Sequence, residues 1–92
     1  MITQTEHPCI ERNDQILSGE PVIKNTRTPV RAIVENWRMG IPIEEMPVHF
    51  PHLTMAQIFD ALSYFSDHPD EIMEYMTKNR VTELDFRRLS AK

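Results

Sequence analysis

The sequence predicts a small, mostly α-helical domain: a short N-terminal β element, a three-helix helix-turn-helix core and a C-terminal helical extension. Three observations carry that expectation. Between Gly19 and Val30 the chain runs G-E-P-V-I-K-N-T-R-T-P-V, an apolar strand that passes through a basic turn into a helix start. Val30, Ile33, Val34 and Trp37 then recur at i, i+3, i+4 and i+7, an apolar stripe of helical period. Thr54-Met55-Ala56-Gln57 has the pattern of a capping box and opens a later helix. The expected boundaries are 10–28 for the β element, 29–66 for the core and 69–90 for the extension, within one domain spanning 1–92.

A chain of 92 residues buries only roughly 60–65% of its unfolded surface, so a subunit interface would add to its stability. Apolar residues at 40% and charged residues at 26% are ordinary for a globular protein. No apolar run approaches the ~20 residues of a membrane span. The segment Met1 to Pro8 lacks the positive start and apolar core of a signal peptide. Cys9 is the only cysteine, so no internal disulfide can form, and a cytoplasmic location is expected. The net charge of −4 is unevenly spread. Residues 1–31 hold four basic and four acidic side chains, residues 32–75 hold one basic and eight acidic, and residues 76–92 hold five basic and two acidic. An acidic middle argues against a general phosphate-backbone binder.

Residues 1–8 show no periodicity and are expected to fray. Cys9-Ile10, Ile16-Leu17 and Pro21-Val22-Ile23 suggest a meander of short strands, with Asn13-Asp14 as a turn signal. Asn25 stands where a left-handed turn residue is needed, because its short polar side chain tolerates φ > 0. Thr28 is the expected cap of the first helix and Pro29 its first residue, with Met39 near the end and Gly40 as the C′ residue. Ile43, Met46 and Phe50 have helical spacing, but Pro47 cannot donate to the carbonyl of Ile43. A short, distorted second helix, partly 3₁₀, is therefore expected. Pro51-His52-Leu53 is a tight turn, and the third helix runs from Thr54 to about Ser66 with Ile58, Ala61, Leu62 and Phe65 on one face. Phe59 and Tyr64 fall off that stripe. A fourth helix starts near Pro69, and the tail from Val81 is expected to be helical, with Thr82 as its candidate cap.

A long helix, a short helix, a tight turn and a capped third helix follow the order of a helix-turn-helix domain. With the basic strand-turn ahead of it, the chain resembles the domain of unknown function 433 family. The matching residues are Gly19, Pro21-Val22-Ile23, Thr26-Arg27, Pro29-Val30, Trp37, Gly40, Glu45, Phe50-Pro51, Leu53-Thr54, Ile58, Ala61-Leu62 and Tyr64. The match spans residues 10–65. The chain departs from the family pattern at Asn25, where glycine is usual, at Pro42, where a serine-like cap is usual, and at Pro47, where an aliphatic helix former is usual. The resemblance implies a homeodomain-like core behind a short β element. It also implies an antitoxin-type protein, with a PIN-like ribonuclease as partner.

Several residue sets are candidates for function. Lys24, Arg27 and Arg31 gather at the strand-to-helix corner and suit phosphates of nucleic acid or acidic groups of a partner. The competing structural role is an Arg27 bound to carbonyls or to Glu35. Gln57 on the third helix suits adenine recognition, although its capping role competes. Asp60 and Asp67 on the same helix would face and repel phosphates, and no Lys or Arg lies between Met39 and Thr77. The tail residues Lys78, Arg80, Arg87, Arg88 and Lys92 suit a solvated face. Tyr64, Met73, Tyr75 and Met76 exceed what three small helices cover and suit a dimer or partner interface. His49 with His52, and His7 with Cys9, match no zinc spacing, so no metal is expected. Cys9 has no base nearby in sequence and Glu44 and Glu45 splay apart, so no catalytic residue and no cofactor are assigned. The expectation is a non-enzymatic, dimeric, antitoxin-like binding protein that contacts a PIN-like toxin and operator DNA. Its alternatives are a stand-alone transcriptional regulator and an oligomeric structural module with no nucleic-acid role.

Overall fold

The computed structural model describes residues 1–90, with side chains described through Asn79. It holds a three-stranded antiparallel sheet and four α-helices. The strands are β1 (Ile2–Gln4), β2 (Ile10–Asn13) and β3 (Val22–Ile23), in the order β1-β2-β3. The helices are α1 (Val30–Arg38), α2 (Met46–His49), α3 (Met55–Asp67) and α4 (Pro69–Ser90).

The sheet departs from expectation at both ends. β1 is a strand, not a frayed end: Ile2 pairs with Asn13 and Gln4 with Glu11. All three of its residues are exposed, so no apolar alternation marked it in the sequence. Its ladder is backbone hydrogen bonding, and the N-terminal amine also contacts Asp14. Ile16-Leu17 is not a strand. Leu17 and Ser18 adopt φ of 50° and 54°, and the chain folds into a tight turn closed by Gly19 N–H donating to the carbonyl of Ile16 at 3.1 Å. β3 then pairs with β2, Ile10 against Ile23. Both of these isoleucines are fully buried.

The strand-to-helix corner is tight. Lys24 N–H donates to the carbonyl of Cys9 at 2.8 Å, Ile23 N–H to Thr28 at 2.9 Å and Val30 N–H to Pro21 at 3.0 Å. Asn25 has φ of 64°, the left-handed geometry expected of it. Pro29 is the N-cap residue and contributes no side-chain cap. Thr28 does not cap the helix; its hydroxyl sits 2.7 Å from Nε2 of His52, which fastens the corner to the turn before α3. α1 ends in a Schellman motif, with Ile41 N–H donating to Asn36 at 3.2 Å and Gly40 N–H to Trp37 at 3.0 Å, and Gly40 at φ of 96°.

The second helix is split as Pro47 requires. Residues Ile43–Glu45 form a 3₁₀ turn and α2 is four residues long. Pro47 falls in the first turn of α2, where its missing N–H has no intrahelical acceptor to satisfy. The capping box of α3 forms: Thr54 N–H donates to Oε1 of Gln57 at 2.7 Å, and Gln57 N–H to Oγ1 of Thr54 at 3.2 Å. α4 runs unbroken from Pro69 to Ser90, so the fourth helix and the helical tail are one element. The expected cap at Thr82 and the basic side chains Arg80, Arg87, Arg88 and Lys92 lie outside the described side chains.

Ile10 and Ile23 of the sheet, Val30, Ile33 and Val34 of α1, Met46, Leu53, Ile58, Ala61 and Ile72 form one core. Tyr64 belongs to it as well, at 1% exposure. The sheet and the helices therefore share a single apolar interior, as short strands that are unstable alone require. At Asn25 the backbone conformation decides tolerance. Asn25→Gly is expected to hold the urea-unfolding free energy within about 0.5 kcal/mol, and Asn25→Val to lower it by about 1–2 kcal/mol, since a β-branched residue is strained at φ > 0.

Candidate functional site

Three surface features stand out: the basic corner, an apolar groove and a polar cluster at the junction of the sheet with α3 and α4. The corner does not present three equivalent cations. Arg31 is only 16% exposed at its side chain, with Nε 2.8 Å from Oε2 of the buried Glu20 and Nη1 3.5 Å from Oε1 of Glu35. The structural arginine is thus Arg31 rather than Arg27. Lys24 and Arg27 are exposed, and neither makes an ion pair among the described residues. The Thr28–His52 contact sets their loop beside the N-terminal end of α3. Gln57 spends its side-chain carbonyl on the cap of that helix.

The groove lies between α1, the 3₁₀ turn and α3. It has a volume of about 260 Å³ and is lined by Trp37, Ile43, Leu62, Phe65 and Ser66. Trp37, expected wholly in the core stripe, is 44% exposed at its rim. Phe59 stands one helical turn before Leu62 on α3 and is 53% exposed. Of the residues expected at an interface, Met73 is exposed and Tyr75 and Met76 are half-buried on α4. Tyr64 is not at the surface. Its hydroxyl accepts from Nη2 of Arg12 at 2.7 Å and donates to Oε1 of Glu71 at 2.7 Å. Arg12 and Glu71 also contact each other directly. Burial, then the bond to Glu71, raises the Tyr64 pKa far above its ordinary value, so the phenol stays neutral.

The polar cluster is built from residues about sixty positions apart. His7 is buried, with Nδ1 3.2 Å from Oδ1 of Asp60 and Nε2 2.8 Å from Oδ2 of Asp67. The other oxygen of Asp60 accepts the backbone N–H of Cys9 at 2.7 Å. Asp60 and Asp67, expected to face phosphates, face His7 instead. Burial pushes the His7 pKa down, but the hydrogen bonds and charges of the two aspartates outweigh it, and the net shift is upward. The same burial, with Asp60 nearby, raises the Cys9 thiol pKa and keeps it a protonated, weak nucleophile. Alongside, Nε2 of His68 contacts Oε1 of Glu6, and that hydrogen bond lowers the Glu6 pKa. Glu6, His7 and Asp67 each offer one ligand atom, all within 4.8 Å of one another.

The family model described as "Protein of unknown function (DUF433)" matches residues 10–65. The chain belongs to the DUF433 family. It is similar to a solved DUF433 member from Anabaena variabilis ATCC 29413, with 28% sequence identity and a TM-score of 0.71, over 75% of this chain and 68% of that one. No curated protein matches it. The DUF433 match takes in the basic corner, α1, α2 and all but the last two residues of α3. Glu6 and His7 precede it, and Asp67, His68 and α4 follow it. Among the described residues, no helix is long and apolar enough to cross a membrane.

The sequence reading missed this polar cluster. One signal was present: Asp60, Tyr64, Asp67 and Glu71 recur at i, i+4, i+7 and i+11, a polar and aromatic face running across the α3–α4 junction. The partners His7 and Arg12 carried no such mark. The two aspartates should differ sharply in weight. Asp60→Ala leaves the Cys9 N–H and a buried imidazole without their acceptor and is expected to cost about 2–4 kcal/mol by urea unfolding. Asp67→Asn alters a more exposed pair and is expected to cost under about 1 kcal/mol.

Proposed function

We propose that this DUF433 protein is a non-enzymatic binding protein of antitoxin type. It acts in the cytoplasm as a homodimer and holds a PIN-like ribonuclease. In this reading α1 to α3 serve as a homeodomain-like helix-turn-helix scaffold, and the partner is gripped by the apolar groove and by α4. The observation that carries the reading is the groove itself, with Trp37 left exposed in its lining and Phe59 exposed one helical turn from Leu62 on α3. α4 adds to it. Twenty-two residues give about 33 Å of helix, and of its described side chains only Ile72 is fully buried. The nuclease as partner rests on the family resemblance. The non-enzymatic reading is supported by a protonated Cys9 and by an Asp60 carboxylate committed at both oxygens to structural hydrogen bonds.

A second reading, duplex DNA binding, is favoured by Lys24 and Arg27 standing beside the start of α3. Its opposing charge is weaker than the sequence suggests, since Asp60 and Asp67 turn to His7.

Purification from the native cell at moderate salt separates the readings. The antitoxin reading expects a stoichiometric nuclease partner. It also expects Trp37→Ala and Phe59→Ala each to weaken that complex about tenfold or more, while the Tm of the free chain moves by under about 3 °C. A chain that arrives alone and monomeric contradicts it. Salt-sensitive duplex binding that falls with Lys24→Ala and Arg27→Ala at all sequences alike would then favour the second.

A further inference from the structure

The junction of the N-terminal segment with α3 and α4 has no part in the partner-binding reading, and its chemistry is distinct. Oε1 of Glu6, Nε2 of His7 and Oδ2 of Asp67 converge within 4.8 Å of one another. Nε2 of His7 lies 2.8 Å from Oδ2 of Asp67 and 3.8 Å from Oε1 of Glu6. Donor atoms bonded to a small divalent cation at about 2.0–2.2 Å are themselves separated by about 3–3.5 Å; the two His7 pairs, at 2.8 and 3.8 Å, lie on either side of that spacing, and the exposed Glu6 carboxylate would draw inward to close the set. The imidazole is also held as a ligand imidazole is held. Its Nδ1 faces Oδ1 of Asp60 at 3.2 Å, so that with an ion bound the proton would stay on Nδ1, donated to Asp60, and the Nε2 lone pair would be free for the ion. Asp60 is fixed in turn by the Cys9 N–H, and Glu6 is hydrogen-bonded by His68. Two of the three ligand side chains therefore have an outer partner that sets their orientation.

We propose that Glu6, His7 and Asp67 form a binding site for a divalent first-row cation, with Zn²⁺ as its best occupant. One imidazole and two carboxylates suit Zn²⁺ ahead of Mn²⁺, and supply too few oxygens for Ca²⁺. His7 is buried while Glu6 and Asp67 are exposed, so the inner side of the site is protein and the outer side is open to water ligands. The ion would sit between the N-terminal β element and the end of α3, and would hold them together. It replaces the proton that Nε2 must otherwise carry to face Asp67. The site is independent of the groove, and either assignment stands without the other.

The test uses the full chain without an affinity tag, stripped with a chelator and titrated with Zn²⁺ by calorimetry. One ion per chain is expected, with a micromolar or tighter Kd and a rise in Tm. Glu6→Gln and Asp67→Asn, both exposed positions, should keep the fold by circular dichroism and each weaken binding about tenfold or more. The double variant His49→Ala/His52→Ala should bind as the unaltered chain does. Absence of Zn²⁺ binding, equal binding by the Asp67→Asn variant, or binding lost with His49 and His52 would each overturn the proposal. In the first two cases the cluster is an ion-pair network around a charged His7.

Discussion

The carboxylate of Asp60 carries two duties on which the fold depends. One oxygen accepts the Cys9 N–H at 2.7 Å and the other faces Nδ1 of His7 at 3.2 Å, across a separation of more than fifty residues. It fixes the chain just ahead of β2 onto α3. The short strands could not do this unaided, since β2 has four residues and β3 has two. The neighbouring Arg12–Tyr64–Glu71 set repeats the arrangement one step further on, fastening β2 to α3 and α4. Each buried side-chain nitrogen or oxygen among the described residues has a partner, so these contacts orient the interior without stranding a side-chain donor or acceptor.

This arrangement explains the uneven charge. The acidic middle of the chain is the counterpart of the neutral first third. Of its eight carboxylates, Glu35 faces Arg31, Asp60 and Asp67 face His7, and Glu71 faces Arg12. Half of these carboxylates are thereby directed at basic side chains of the N-terminal third. Lys24 and Arg27 are left with no acidic partner among the described residues, and no described side chain fills the apolar groove. Along the same stretch of α3, Asp60, Tyr64 and Asp67 serve the structural contacts while Leu62, Phe65 and Ser66 line the groove.

What was legible in the sequence was local. Asn25 at φ of 64°, the Schellman turn at Gly40, the 3₁₀ break ahead of Pro47 and the Thr54–Gln57 box each follow from one or two residues acting on their own backbone. The Arg31–Glu35 pair has i, i+4 spacing, although the expected partner of Glu35 was Arg27. β1 was not legible, because its three side chains are all exposed and leave no period of two. Ile16-Leu17 is an apolar pair with the look of a strand, and nothing in the Leu17 side chain announces φ of 50°. Tyr64 fell off the apolar stripe by spacing, yet it is buried, because Arg12 and Glu71 satisfy its hydroxyl from elements far away in sequence. Periodicity reports which face of a helix is apolar; it carries no information about a polar partner fifty or sixty residues distant. The candidate metal ligands were hidden for the same reason.

The central claim is that the N-terminal sheet and α3 form one cooperative unit through the Asp60 and Tyr64 contacts. Native-state amide hydrogen exchange tests it most directly, at Cys9 and Lys24 on the sheet side and Tyr64 and Phe65 in α3. The account predicts that all four exchange with a common free energy near that of global unfolding. Sheet amides that exchange orders of magnitude faster than those of α3 would contradict it, and would make the β element an appendage of the helices.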